Sequence, residues 1–369
     1  HEELPEKLKE VGIRFYIPEK IAVRQLKKLR KRIYARIDAD GIVLVSGKGK
    51  RKTPIQRLSE WIDQCLAKLK QYTKDIHICG NRNSFSKTDH DATFMHMKED
   101  YMRNGQLKPG YNVNVATCSD FIIGSYISSD RNDVHTLIPF MEQLRKNYAG
   151  RNIGSVVVDS GYESEENYCW FEAHPETELY VKPSNHEAVK HRKYRTDISR
   201  RENMAYDAQT DTYTCANGKL LQKTQEKKTH TASGLEITTS VYECSECDGC
   251  PLKEKCIRAC GSKKPLEERY KVIYVSKRFA RQRQAMEAKI SSPKGCLLRV
   301  NRSIQAEGNF AYVKQDLDFR RFLLRGNMKV AAEWLLFSLA LNILHLHHKI
   351  QNRRLGSDLK IPSSFPAGL

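Results

Sequence analysis

Two carboxylates and a crowd of thiols carry the chemistry legible in this chain. Glu307 stands in an amphipathic helical segment between Arg302 and Lys314, followed by an arginine-rich turn with Arg320, Arg321 and Arg325 and then by an apolar helix. An acid in so basic a neighbourhood suits a metal-bound carboxylate beside a phosphate backbone. A solvated helix face with an incidental glutamate reads the same way locally. Asp159 closes the apolar run Ser155-Val156-Val157-Val158. The carboxyl ends of strands are where open α/β sheets gather their chemistry, although an aspartate there can also do no more than cap the next helix. Cys244, Cys247, Cys250 and Cys256 offer four thiolates in a short span, the donor set of a tetrahedral zinc, with Cys215 and Cys260 as substitutes. An iron–sulfur cluster or metal-free thiols are the alternatives.

These residues need elements to hold them. Residues 8–78 are Lys-rich with helical spacing (Ile21, Leu26, Leu29, Ile33; Leu58, Ile62, Leu66, Leu69) around a glycine-punctuated strand or loop at 41–50, which predicts a helical hairpin. Residues 111–117 and 121–128 read as a β-hairpin, 133–148 as a helix with Asp133 as its cap, 155–159 as a buried strand, 160–166 as a helix start, and 178–182 as another strand. That order is α/β, and its last crossover demands parallel pairing. Residues 334–344 are apolar nearly all round and read as a core helix. His345, His347 and His348 at its end read as cations near a helix C-terminus. The tract Lys190-His191-Arg192-Lys193-Tyr194-Arg195 suits a loop on DNA or a solvated loop.

Composition narrows the partners. Sixty-three Lys and Arg against 44 Asp and Glu give a formal charge of +19, with the excess spread over several regions. Such a distribution fits a polyanion lying along an extended surface. The longest apolar run, 334–346, is interrupted by Asn342 and His345 and falls short of a membrane span. With no signal peptide legible either, the expected location is the cytosol, where 11 cysteines would remain unpaired.

Four segments together resemble the DDE transposases of bacterial insertion sequences, and most of all the branch labelled eleven eighty-two. They are residues 82–95 (RNSFSKTDHDATFM), 104–113 (NGQLKPGYNV), 158–162 (VDSGY) and 302–326. The resemblance implies a ribonuclease H-like catalytic core in which two strand carboxylates and one helical glutamate bind two Mg2+ or Mn2+ ions. Asp159 matches the second acid and Glu307 the helical one. Relatives place a tyrosine, an arginine and a lysine around that glutamate. Lys314 fits the lysine spacing, whereas Arg302 lies five residues before Glu307 rather than four, and Val300 takes the tyrosine position. The first acid is expected in an Asp-Gly-Thr context that this sequence lacks. Since the chain also opens on His1 rather than methionine, that strand is expected to be missing upstream. Asp91 or Asp89 is the candidate within the chain, with Asp38 or Asp40 behind them.

The resulting expectation is an α/β fold: a basic helical segment at 1–78, the first part of a ribonuclease H-like core at 79–182, a cysteine-rich insertion with a zinc knuckle at 183–298, and closing helices at 299–369. The activity implied is metal-dependent DNA cleavage and strand transfer at the terminal inverted repeats of a mobile element. It would be performed by a homodimer on DNA in the bacterial cytoplasm, associated with the nucleoid. The rivals are a two-metal nuclease on the same core and a non-enzymatic, zinc-containing DNA-binding protein.

Overall fold

The computed structural model describes residues 2–97, 104–258, 264–356 and 359–360, and the chain divides into two compact units, 1–109 and 110–369. In the first unit α1 (Leu4–Glu10), α2 (Val23–Ala39) and α3 (Pro54–Cys79) form the expected helical hairpin, with β1 (Thr93–His96) and β2 (Leu107–Gly110) paired after it. Leu26, Leu29, Ile33 and Ile37 of α2 meet Ile55, Leu58, Ile62 and Leu66 of α3, one apolar stripe per helix. Thr53 caps α3 ahead of Pro54, whose missing N–H costs nothing at a first helical position. The 41–50 stretch is a loop rather than a strand, pinned where Gln56 exchanges two hydrogen bonds with the Val45 backbone.

The second unit begins with β3 (Asn112–Cys118) and β4 (Phe121–Ser128), an antiparallel hairpin. Its tip residues Ser119 and Asp120 both have positive φ, 53° and 70°, as a two-residue turn matched to strand twist requires. A 3-10 turn, α4 (Leu137–Asn147), β5 (Ser155–Val158), a second 3-10 turn, α5 (Glu165–Glu172) and β6 (Glu178–Val181) follow, with β5 and β6 parallel as expected. Two expectations need correction. Asp133 does not cap α4, whose first residue follows Thr136; its carboxylate turns to Asn112 instead. The strand β5 is only half-buried, because among the described residues it pairs with β6 alone, just as β3 pairs with β4 alone.

After α6 (Arg192–Arg195) the cysteine-rich stretch forms a five-stranded antiparallel sheet that the sequence did not announce. It comprises β7 (Ala205–Asp207), β8 (Thr212–Thr214), β9 (Leu220–His230), β10 (Glu236–Glu243) and, beyond α7 (Lys253–Cys256), β11 (Val272–Val275). The chain then returns through α8 (Lys277–Ser291), whose Met286 and Ile290 join Leu137, Phe140, Met141, Tyr168, Phe171, Leu179 and Val181 in one core.

Next comes a helical rod from α9 (Pro293–Arg302) through α10 (Gly308–Ala311), and then α11 (Asn327–Gln351). Rod and α8 touch at Gly295, where a Cβ would stand 2.3 Å from the Lys289 carbonyl oxygen and 2.8 Å from the Ile290 Cα. Gly295→Ala should therefore force the helices apart and cost about 1–3 kcal/mol in urea denaturation. A neutral result would mean that the crossing is loose.

The helix α11 is longer than the apolar run in the sequence. By length and composition it could cross a membrane, yet here Trp334 and Leu341 pack with Ile122 and Val313, and the Asn342 side chain exchanges two hydrogen bonds with the Ile122 backbone. It is core on that side only. Leu335, Leu336, Leu339 and Ile343 are exposed.

Candidate active site

The Asp159 carboxylate accepts a hydrogen bond from the Ser160 N–H at 2.8 Å and so caps the 3-10 turn at the end of β5. It is also 54% exposed, and its other oxygen lies 3.7 Å from Nη2 of Arg302. Nη1 of the same guanidinium donates to Glu307 Oε1 at 3.0 Å. One planar guanidinium thus joins both acids, whose contacting oxygens are no more than about 9 Å apart. Two residues 148 positions apart in sequence meet at one cation.

How Arg302 reaches Glu307 from five residues away is a matter of helix geometry. In an unbroken α-helix five residues would place it about 140° around the axis. The rod instead widens into a π-turn at Ser303–Glu307 and again at Tyr312–Asp316, and a turn closed by i→i+5 bonds takes one more residue than an α-turn. The arginine therefore shares a face with the glutamate despite the irregular spacing.

A buried ladder of amides fixes the rod's rotation. Asn301 Nδ2 donates to the Leu297 and Lys360 carbonyls, and Asn309 Nδ2 donates to those of Gln305 and Asp120. Asn309 Oδ1 meets His345 Nε2 at 2.9 Å. Burial pushes the His345 imidazole below its ordinary range, so it serves as a neutral hydrogen-bond partner and not as the cation expected at that helix end. Asn301, Gln305 and Asn309 recur every four residues. That spacing was the available signal, and it was missed.

A second polar network backs Asp159. Tyr162 donates to Asn114 Oδ1 at 2.5 Å, Thr136 donates to the same oxygen at 2.8 Å, and Asn112 donates to Asp133 at 2.7 Å. Burial raises the Tyr162 hydroxyl pKa strongly, Asp133 and Asp159 add to the effect, and Arg302 opposes it. Tyr162 therefore remains a protonated donor. Gly161 lets this turn close on Asp133, whose Oδ2 would lie 2.9 Å from an added Cβ.

The next residue, Glu163, is the anchor. It takes a bidentate pair from Arg283 (both contacts 2.8 Å), the Ser184 N–H (2.8 Å) and the Tyr168 hydroxyl (3.1 Å). Its burial raises the carboxyl pKa, and Arg283 with the Ser184 amide outweighs that and holds it below the ordinary range.

The remaining predicted residues are distributed unevenly. Lys314 is exposed and lies 5.8 Å over the Phe310 ring, Arg320 pairs with Asp318 at 2.6 Å, and Arg321 and Arg325 are exposed with no ion pair among the described residues. Their turn is shaped by buried Glu333, which accepts from the Leu323 and Leu324 N–H groups. Tyr194 is buried and stacked under Arg200 at 4.1 Å, so it is not free to meet DNA. Asp91 belongs to the first unit, where its carbonyl accepts from Arg82.

Cys244 and Cys247 are buried, Cys250, Cys256 and Cys215 are half-buried, and Cys260 lies outside the described residues. Among the described residues no three His, Cys, Asp or Glu side chains stand together closely enough to hold a metal ion as they are.

Residues 214–347 match the family model described as a transposase DDE domain. That span covers roughly a third of the chain. It takes in the five-stranded sheet from Thr214 onward, the cysteines, Glu307, Lys314 and the arginine turn, and leaves Asp159 outside. No curated protein and no solved structure matches the chain.

Proposed function

We propose that this chain is the catalytic part of a DDE-type transposase of a bacterial insertion sequence, cutting DNA at the ends of a mobile element and joining those ends to target DNA. One observation carries the reading: Asp159 and Glu307 meet at Arg302, within a chain that matches a transposase DDE domain through the helical acid. The donor set fits Mg2+ or Mn2+ in kind, because such ions use one or two carboxylates and complete their shell with water and substrate phosphate oxygens. Bound there, a pair of ions supplies an activated water or 3′-hydroxyl and stabilisation of the leaving oxygen in an in-line phosphoryl transfer. Asp159 and Glu307 would hold the ions, Arg302 would turn from the acids to a substrate phosphate, and Lys314, Arg321 and Arg325 would orient the backbone.

Further parts of the reading rest on separate features. The edges of β3 and β5 that have no strand partner among the described residues support an additional strand that carries the first acid. Arg24, Lys27, Lys28 and Lys31 run along the exposed side of α2 without ion pairs among the described residues, a row suited to DNA phosphates. The active species is a homodimer on DNA, and the cysteine-rich module holds a structural zinc.

The test is a supercoiled plasmid carrying the DNA that flanks the coding sequence, incubated with the protein and Mn2+. Cut ends joined to new sites support the transposase. Cut ends never joined point to the nuclease, and binding without cutting to the non-enzymatic reading. Fe2+-directed cleavage of the polypeptide supplies a readout independent of turnover, with scission expected near 159 and 307.

A further inference from the structure

The sheet formed by β7 to β11 has little to hold it together. Its core is Met204, Leu221, Tyr242, Cys244, Cys247, Ile273 and Val275, and of the long strand β9 only Leu221 is buried. A module of this size with so few buried apolar side chains ordinarily needs a covalent or metal staple.

Its turns bring thiols to one end. Cys215 begins the turn from β8 to β9, closed by Gly218 N–H to the Cys215 carbonyl at 2.9 Å, with Gly218 at φ +73°. Cys247 and Cys250 flank a second tight turn with Gly249 at φ +63°, and Cys256 ends α7. Cys215 packs against the cluster holding Cys244 and Cys247, and Cys256 is within electrostatic reach of Cys215, Cys247 and Cys250. The Lys271 N–H donates to Cys247 Sγ at 3.3 Å, the kind of bond a thiolate ligand accepts. The Lys271 ammonium donates to the Cys256 carbonyl at 3.0 Å, which puts a positive charge beside the site. Cys244 also lies within electrostatic reach of Cys215 and Cys247 but is placed differently: its N–H extends the β10–β11 ladder to the Lys271 carbonyl at 3.0 Å, and at 1% exposed it is the more deeply buried of the two core thiols, Cys247 being 7% exposed.

We propose that Cys215, Cys247, Cys250 and Cys256 are the four ligands of one zinc ion, and that Cys244 is a packing residue. This ligand set differs from the one that sequence spacing selects, because it exchanges Cys244 for a cysteine 29 positions earlier on a neighbouring turn. The site staples the β8–β9 turn to the loop before β11, which fastens the open end of the sheet. Closing the four sulfurs to about 2.3 Å from an ion takes side-chain rotation of the half-buried thiols on their turns.

The proposal rests on the zinc reading of this module, and the experiment separates the two. Zinc is measured on the purified full chain and on Cys215→Ser and Cys244→Ser. The expected result is near one ion per chain in the parent and in Cys244→Ser, and loss in Cys215→Ser. Retention in Cys215→Ser with loss in Cys244→Ser overturns the ligand set while leaving the zinc reading intact; a parent without zinc overturns both. In case Cys215→Ser does not fold, Cys215→His loaded with Co2+ should keep the ion and lower the thiolate-to-cobalt charge-transfer absorption by about a quarter. An unchanged band overturns the assignment of Cys215.

Discussion

Glu307→Gln should reduce Mn2+-dependent DNA cleavage by at least about 10³-fold, equivalent to roughly 4 kcal/mol of transition-state stabilisation, while leaving stability almost unchanged. The two halves of this expectation come from one fact. The Glu307 side chain is 64% exposed, with Arg302 as its ion-pair partner, and exposed pairs contribute no more than about 1 kcal/mol to folding. An amide of the same shape keeps the helix and loses the negative charge that a divalent ion requires. Asp159→Asn should be as damaging to cleavage. It too should leave stability almost unchanged, because an asparagine amide oxygen accepts the Ser160 N–H bond that caps the turn after β5. Parallel cleavage assays and urea denaturation check both variants. Full cleavage by Glu307→Gln would remove it from the catalytic set, and a large stability loss would make it a structural residue.

Arg283→Met should be the most destabilising single change near the site, by about 3–5 kcal/mol at neutral pH, with a fall in thermal midpoint of roughly 10 °C. The Glu163 side chain is only 1% exposed, so removing its bidentate partner strands a carboxylate in a place from which water is excluded. The pH dependence gives the cause away. In the parent, the depressed Glu163 carboxyl contributes stability above its unfolded pKa of about 4.3, and that contribution is lost as pH falls through the lower folded value. In the variant, burial acts on Glu163 without its guanidinium partner, raises its folded pKa, and makes protonation relieve the strain. The gap between parent and variant should therefore shrink between pH 7 and pH 4.5. Urea denaturation at the two pH values measures it, and an equal gap at both would assign the loss to packing alone.

What could be read from the sequence was local, and what could not was tertiary. The β3–β4 hairpin, the β5–β6 parallel pair and the α2–α3 hairpin each have apolar spacing that survives inspection, and Asp159 and Glu307 stand out by their neighbours. The five-stranded sheet does not. Strand β9 is Leu-Leu-Gln-Lys-Thr-Gln-Glu-Lys-Lys-Thr-His, exposed along almost its whole length, so no alternation marks it as a strand. Asn114, Thr136 and Tyr162 were invisible because their hydrogen bonds span 22 and 48 residues. Asp133 reads as a cap because a cap and an acceptor for a neighbouring strand's amide ask for the same residue type. The run at 155–158 promises a buried strand, but β5 stays half-buried, with only one neighbouring strand among the described residues.

The π-turn before Glu307 also bears on how such chains are compared. A motif written as a residue count is a stand-in for an azimuth, and the two part company wherever a helix overwinds or underwinds. Counted in residues, Arg302 stands one position away from the arginine of the motif that this segment resembles. Measured as a direction around the rod, its guanidinium faces Glu307 and is bonded to it. An extra residue in this segment is thus silent at the site as long as the turn can widen to absorb it, and alignment gaps placed here carry no information about whether the charges still meet.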